Sequence, residues 1–256
     1  MRVWRYLTVA GILAVTGALG QGTARAAELI VLTGMGSESG VRTLAAGFEQ
    51  ASGHKVTVSF ETGPWLNKKL ESNAPADLFT GGPEGVEDLI KRGKVVAGTN
   101  TPFGLAGLGL SVKIGAPRPD ISTVESFKTA LLAAKSIGYS RGCSGTYAAE
   151  GIGKLGIADA IKSKVTLTGG GPVAEYVARG EVELGIQQTN VMVGVPGADY
   201  VGPLPGFLNK PCSFNVGLMA VSKNPDAARA MIKFMTSPEA TPLLQKAFME
   251  PVRKES

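Results

Sequence analysis

Short apolar runs alternate along this chain with stretches in which apolar residues recur every three to four positions. The first run, Glu28 to Thr33, leads into Gly34-Met35-Gly36-Ser37-Glu38-Ser39-Gly40, and Val41, Leu44, Ala45 and Phe48 then mark one face of a helix over Ser39 to Gln50. The same order of strand, loop and helix repeats at Lys55 to Phe60, Thr62 to Pro64 and Leu66 to Ser72. It recurs at Asp77 to Thr80, Gly81 to Pro83 and Glu84 to Lys91. Alternation of this kind predicts a parallel α/β sheet.

A longer apolar strand is predicted over Leu105 to Ile114, and beyond the Pro-rich Ala116 to Asp120 a second series begins. Its helices are expected at Ser122 to Ala134, Ser144 to Leu155 and Pro172 to Arg179, and its strands at Ser136 to Ser140, Lys164 to Leu167 and Glu183 to Gln187. Another long strand, Ser213 to Val221, precedes two closing helices, Pro225 to Met235 and Pro238 to Phe248, each opened by the proline that helix starts favour. The two long strands predict paired crossovers between two lobes. The expected fold is α/β and two-lobed, with lobe I made of residues 27–104 and 222–256 and lobe II of residues 105–221, crossovers included. A single doubly wound domain is the competing arrangement.

The N-terminus changes the reading of the charge. Arg2 and Arg5 precede an apolar stretch from Tyr6 to Leu19, and Ala24-Arg25-Ala26 has the small-x-small pattern of a cleavage site, so residues 1–26 are expected to be a signal peptide. The stretch is shorter than the roughly 20 residues a membrane span needs. Residues 1–26 hold Arg2, Arg5 and Arg25 and no acidic residue, so removing them takes the formal charge from +5 to +2. The expected product is a soluble periplasmic monomer, and nucleic acid is not its expected partner. In that oxidising compartment Cys143 and Cys212 either pair or stay buried as small hydrophobes.

The Gly34 to Gly40 segment resembles a dinucleotide fingerprint, but its third glycine comes one residue late. Its hydroxyls at Thr33, Ser37 and Ser39 and its backbone N–H groups, set at a helix start, still suit an anion. Gly138-Tyr139-Ser140-Arg141-Gly142 matches G-x-S-x-G, yet the only histidine, His54, lies upstream of the serine, opposite to the order a hydrolase of that fold requires. Ser140, Ser144, Thr146 and the guanidinium fork of Arg141 instead make a second polar helix start, in lobe II, suited to a carboxylate or other oxyanion. Gln187 and Gln188, at the carboxyl end of an apolar strand, are where open α/β sheets place ligands. Ser59, Glu61 and Thr62 form a comparable loop in lobe I. One histidine and two distant cysteines give no zinc motif, and no metal or cofactor is expected.

Several of these segments together resemble the molybdate-binding-like periplasmic solute-binding proteins of ABC transporters. They are the opening strand to Thr33-Gly34, Ser59-Phe60, Ala74 to Phe79, Ala178 to Glu181 before Leu184-Gly185-Ile186, and Asn224 to Arg229 with Ser237 to Ala240. The resemblance implies a Venus-flytrap fold with two crossover strands that closes on a small anion and delivers it to a permease. The positions of these loops at strand ends make Thr33, Gly34, Ser37, Ser59, Thr62, Ser140, Arg141, Ser144, Thr146, Gln187 and Gln188 the expected ligand contacts. Gly115 to Ser122, Tyr139-Ser140 with Ser144-Gly145, and Val177 through Gln188 are similar to a branch that includes periplasmic aconitate isomerases. That similarity implies an organic polycarboxylate of the aconitate or citrate type as ligand. It also implies an alternative activity, the allylic proton shift between cis- and trans-aconitate, with Glu61 and Glu38 as the candidate acid-base groups.

Overall fold

The computed structural model describes residues 26–61 and 63–252; the expected signal peptide falls on residues 1–25 and, like Thr62, lies outside the described residues, apart from Ala26. Strands β1 (Glu28–Thr33), β2 (Lys55–Phe60) and β3 (Leu78–Gly81) alternate with helices α1 (Met35–Ser52), α2 (Gly63–Glu71) and α3 (Pro83–Lys91). Strands β4 (Thr101–Ala106) and β5 (Leu108–Lys113) follow, then α4 (Val124–Ala133), β6 (Ile137–Tyr139), α5 (Cys143–Lys154), α6 (Ala158–Ile161), β7 (Val165–Leu167), α7 (Val173–Arg179), β8 (Leu184–Gln188), α8 (Thr189–Met192) and β9 (Ala198–Pro203). The chain ends with β10 (Cys212–Leu218), α9 (Pro225–Met235), α10 (Ala240–Lys246) and β11 (Glu250–Pro251).

These strands form two sheets, ordered β11-β4-β10-β3-β1-β2 and β7-β6-β8-β5-β9. The α/β alternation makes β1, β2 and β3 parallel, as it does β6, β7 and β8; the strands entering or leaving each lobe pair antiparallel. Helices cover the first sheet on both faces, with Leu44, Phe48, Met231 and Leu244 in the core on one side and Leu70, Val86 and Leu89 in the core on the other. Phe127, Leu131, Ile137, Ile152 and Ile186 centre the core of the second lobe. Each lobe therefore has its own core, the first divided between the two faces of its sheet, and Tyr147 packs against the second lobe's core and the Leu44–Phe48 side of the first.

The crossings differ in detail from the sequence expectation. The run from Leu105 to Ile114 is broken at Gly107: Leu105 and Ala106 pair with β10 in the first sheet, while β5 pairs with β8 and β9 in the second. A side chain at Gly107 has no room, because a Cβ there would lie 2.4 Å from Asn209 Oδ1, which accepts the Leu108 N–H at 2.7 Å. The return crossing is made by the segment between β9 and β10, and β10 lies wholly in the first sheet. Asp77 fastens the returning chain: its buried carboxylate accepts from Ile30 N at 2.9 Å and from Ser222 Oγ at 2.6 Å. Burying a carboxylate is costly unless it is hydrogen-bonded, and these bonds link β1 to the segment after β10. Among the described residues no helix is long and apolar enough to cross a membrane.

Candidate functional site

Both sheets point carboxyl ends of parallel strands at one cleft of about 750 Å³ between the lobes. Each strand that ends there is followed by a helix that starts there, so helix N-termini line the walls. Helices α1, α3 and α5 are preceded by Gly34, Gly82 and Gly142, and none of these caps makes a side-chain hydrogen bond. Helix α4, which opens away from the cleft, has a full capping box between Thr123 and Ser126. The first N–H groups of a helix have no intrahelical partner and sit at the positive end of its dipole. Three such ends left without side-chain caps give the cleft backbone donors from both lobes.

The floor on the lobe I side is a ring of buried hydroxyls. Thr80 donates to Thr33 Oγ1 at 2.8 Å, and Ser37 Oγ lies 3.0 Å from Thr33 Oγ1 and 3.1 Å from Thr80 Oγ1. Ser37 and Thr80 reach the cleft surface, with Thr33 beneath them. This ring forms because α1 starts at Met35, four residues before the helix start expected at Ser39. Gly36 permits the early start: a Cβ there would sit 2.7 Å from the ring of Phe214, which also lines the cleft.

In lobe II, Ser140 and Arg141 lie on the cleft wall, and Arg141 is exposed with no hydrogen-bond or salt-bridge partner among the described residues. The loop that carries them is shaped by Gly145, where a Cβ would lie 1.6 Å from the Ser140 carbonyl oxygen. Ser144 is buried 3.4 Å from Ser140 Oγ, and Thr146 is exposed on α5 away from the cleft wall, its hydroxyl donating to Gly142 O at 3.3 Å. Gln187 and Gln188 also line the cleft. Gln187 is oriented by its Oε1, which accepts the Val173 N–H at 2.7 Å. Asn190 crosses between lobes, donating from Nδ2 to Gly36 O at 2.9 Å and to Ser39 Oγ at 3.0 Å. Tyr139, whose phenol is raised above its ordinary pKa by burial, packs against the second core.

The two carboxylates singled out in the sequence are held elsewhere. Glu61 is bound 2.5 Å from Lys69 Nζ, which also donates to Ser59 Oγ at 2.9 Å, and neither Glu61 nor Ser59 is on the cleft wall. Glu38 pairs with Arg42 on the next turn of α1 at 2.7 Å and also stands off the wall. The cleft's carboxylate, among the described residues, is Glu84 in the first turn of α3. Sequence reasoning also passed over Thr80, Thr168 and the Gly169-Gly170-Gly171 loop, all on the wall. Thr168 is 4% exposed and its hydroxyl has no hydrogen-bond partner among the described residues. Their signal was position: each lies at or just beyond the carboxyl end of a strand in an α/β series, the place where such sheets bind ligands. His54 is half-buried, accepting the Ala27 N–H at 2.9 Å and stacking on Phe48.

Two lobes joined by two crossings, with a polar cleft at the strand ends, define the class of two-lobed solute-binding proteins. The chain belongs to the family of bacterial extracellular solute-binding proteins, whose model matches residues 29–250. It is 30% identical over 230 residues to an aconitate isomerase of a Pseudomonas species, covering 88% of each chain. It is 28% identical over 246 residues to the molybdate-binding protein ModA of Azotobacter vinelandii, covering 89% of this chain and 93% of that one. Among solved structures, the substrate-binding domain of a putative molybdenum ABC transporter from Clostridium difficile superimposes with a TM-score of 0.69 at 20% identity, over 89% of this chain and all of that one.

Proposed function

We propose that the chain is a periplasmic receptor whose cleft closes on a small organic polycarboxylate of the aconitate or citrate type and delivers it to the permease of an ABC transporter. The observation that carries this reading is the convergence of helix N-termini without side-chain caps, from both lobes, on a cleft whose wall holds the guanidinium of Arg141, unpaired among the described residues. Such N–H groups favour a negative partner. Hydroxyls of Ser37 and Thr80 on one lobe and the fork of Arg141 on the other favour an anion with more than one charged group, able to touch both lobes at once. A cleft of about 750 Å³ has room for an organic ligand. A ligand that contacts both lobes favours the closed arrangement through those added contacts, which is the basis of hinge closure.

The similarity to an aconitate isomerase favours a second reading of the same cleft. Converting cis- to trans-aconitate removes a proton from one carbon and returns one at another, which requires a positioned acid-base group beside a carboxylate clamp. Glu84 faces the cleft and is the better placed candidate; Glu61 and Glu38 are engaged by Lys69 and Arg42.

Incubation of the purified protein with cis-aconitate, following the trans isomer by chromatography, separates the two readings. Thermal shifts with cis-aconitate, citrate, molybdate and sulfate run alongside. The receptor reading expects stabilisation by the tricarboxylates without turnover. Turnover establishes the isomerase, stabilisation by molybdate or sulfate alone overturns the polycarboxylate assignment, and no stabilisation by any of the four overturns anion binding.

A further inference from the structure

The disulfide between Cys143 and Cys212 joins the two lobes, and it does so on the wall of the cleft. Cys143 is the first residue of α5 and lines the cleft two positions after Arg141. Cys212 is the first residue of β10, fully buried in the lobe I core, and stands in register with Ala106, the last residue of β4 before the break at Gly107. The bond thus lies beside both crossings and ties the helix that follows the Ser140–Arg141 loop to the strand that presents Ser213 and Phe214 to the same cleft.

Weaker contacts run alongside it. Lys210, in the return crossing, sits 3.9 Å from the centre of the Tyr147 ring and 3.1 Å from Glu150 Oε2, both on α5. Leu208 packs where Gly151 leaves room, since a Cβ there would lie 2.7 Å from its Cδ2. Exposed ion pairs contribute little and open easily. The covalent bond does not open with them.

Two crossings alone let the lobes bend and twist about an axis through them. A third, covalent link beside that axis removes the motions that would separate the start of α5 from β10. We infer that Cys143 and Cys212 are a positioning pair: their bond keeps Ser140, Arg141 and the α5 N-terminus in place against lobe I before any ligand arrives. It also confines opening to a rotation about this tethered edge. The wall that moves is then the far one, carrying Gly169, Gly170 and Gly171. The effect on affinity rests on the anion-binding reading of the cleft; the effect on lobe motion does not.

The test replaces the pair in the full chain as Cys143→Ser/Cys212→Val, the valine chosen to fill the buried apolar position. Two spin labels, introduced at Lys91 and Lys162 as genetically encoded non-cysteine residues, report the distance between lobes by pulsed electron resonance without ligand. The tether predicts a distribution in the variant that is broader and extends to longer distances than in the disulfide-bonded protein. Disulfide-bonded protein treated with a phosphine reductant and still folded should match the variant. Calorimetry with cis-aconitate should give a Kd about tenfold weaker, as expected if the binding-competent arrangement falls to about one tenth of the population. Unchanged distances and an unchanged Kd, with only stability lowered, would overturn the inference and leave the bond a plain staple. If the disulfide-bonded protein does not bind cis-aconitate, the ligand reading fails, and the distance measurement still decides the tether.

Discussion

Replacing Arg141 with alanine separates a ligand contact from a structural role more cleanly than any other change in the cleft. The side chain is exposed and has no partner among the described residues, so its loss breaks nothing in the unliganded fold. Surface changes of that kind stay within about 0.5 kcal/mol. With a carboxylate in place and the lobes closed, the guanidinium becomes a charge-assisted donor, worth about 1.5–3 kcal/mol. At about 1.4 kcal/mol per factor of ten, Arg141→Ala should weaken Kd by about 10- to 150-fold. Arg141→Lys keeps the charge but loses the planar fork, so it should fall between the two. Isothermal titration calorimetry with cis-aconitate and citrate measures the affinity, and urea unfolding checks that the fold is intact. An alanine variant that binds either anion with wild-type affinity refutes the reasoning, because the one cation on the cleft wall among the described residues would then contribute nothing.

Further changes probe the elements that build the site. Thr80→Val keeps the shape but breaks the buried hydroxyl ring with Thr33 and Ser37; it should cost about 1–3 kcal/mol in urea unfolding and weaken anion binding as well. Gly145→Ala forces its Cβ against the Ser140 carbonyl and should destabilise by about 1–3 kcal/mol or more while displacing Arg141. Gly153→Ala, in the same helix with open space around it, should be neutral or stabilising by up to about 1 kcal/mol, and both are read by thermal unfolding. If the protein turns over aconitate, Glu84→Gln should abolish the rate and Glu61→Gln should leave it within a few-fold in a chromatographic assay; the reverse pattern would return the acid-base role to Glu61.

The α/β alternation was legible because each strand is a compact apolar run and each helix keeps a regular apolar face, as at Val41, Leu44, Ala45 and Phe48. What escaped depends on contacts distant in sequence. The break at Gly107 is invisible in an unbroken apolar run, since it is dictated by Asn209 roughly a hundred residues away. Strand β9, with Asp199, Gly202 and Pro203 and no alternation in burial, has no strand signature of its own and forms as an edge paired to β5. The loops at Gly34 to Ser37, Ser140 to Arg141 and Gln187 to Gln188 drew attention through their polar side chains, and all three reach the cleft. Gly81-Gly82 and Gly169 to Gly171 drew none, because what they bring is backbone. Glu61 was placed by its loop alone, and its engagement by Lys69 depends on how α2 folds back over β2. The spacing of Cys143 and Cys212 left pairing and burial equally open, and only the meeting of α5 with β10 decides between them.

The central claim is that one anion bridges the two lobes in this cleft. A crystal structure of the protein grown with saturating cis-aconitate tests it most directly. The account predicts a single tricarboxylate between the Ser37–Thr80 floor and the Arg141 fork, with backbone N–H groups of α1 and α5 directed at its oxygens. A tricarboxylate bound outside this cleft, or inside it with no contact to lobe II, would contradict the account.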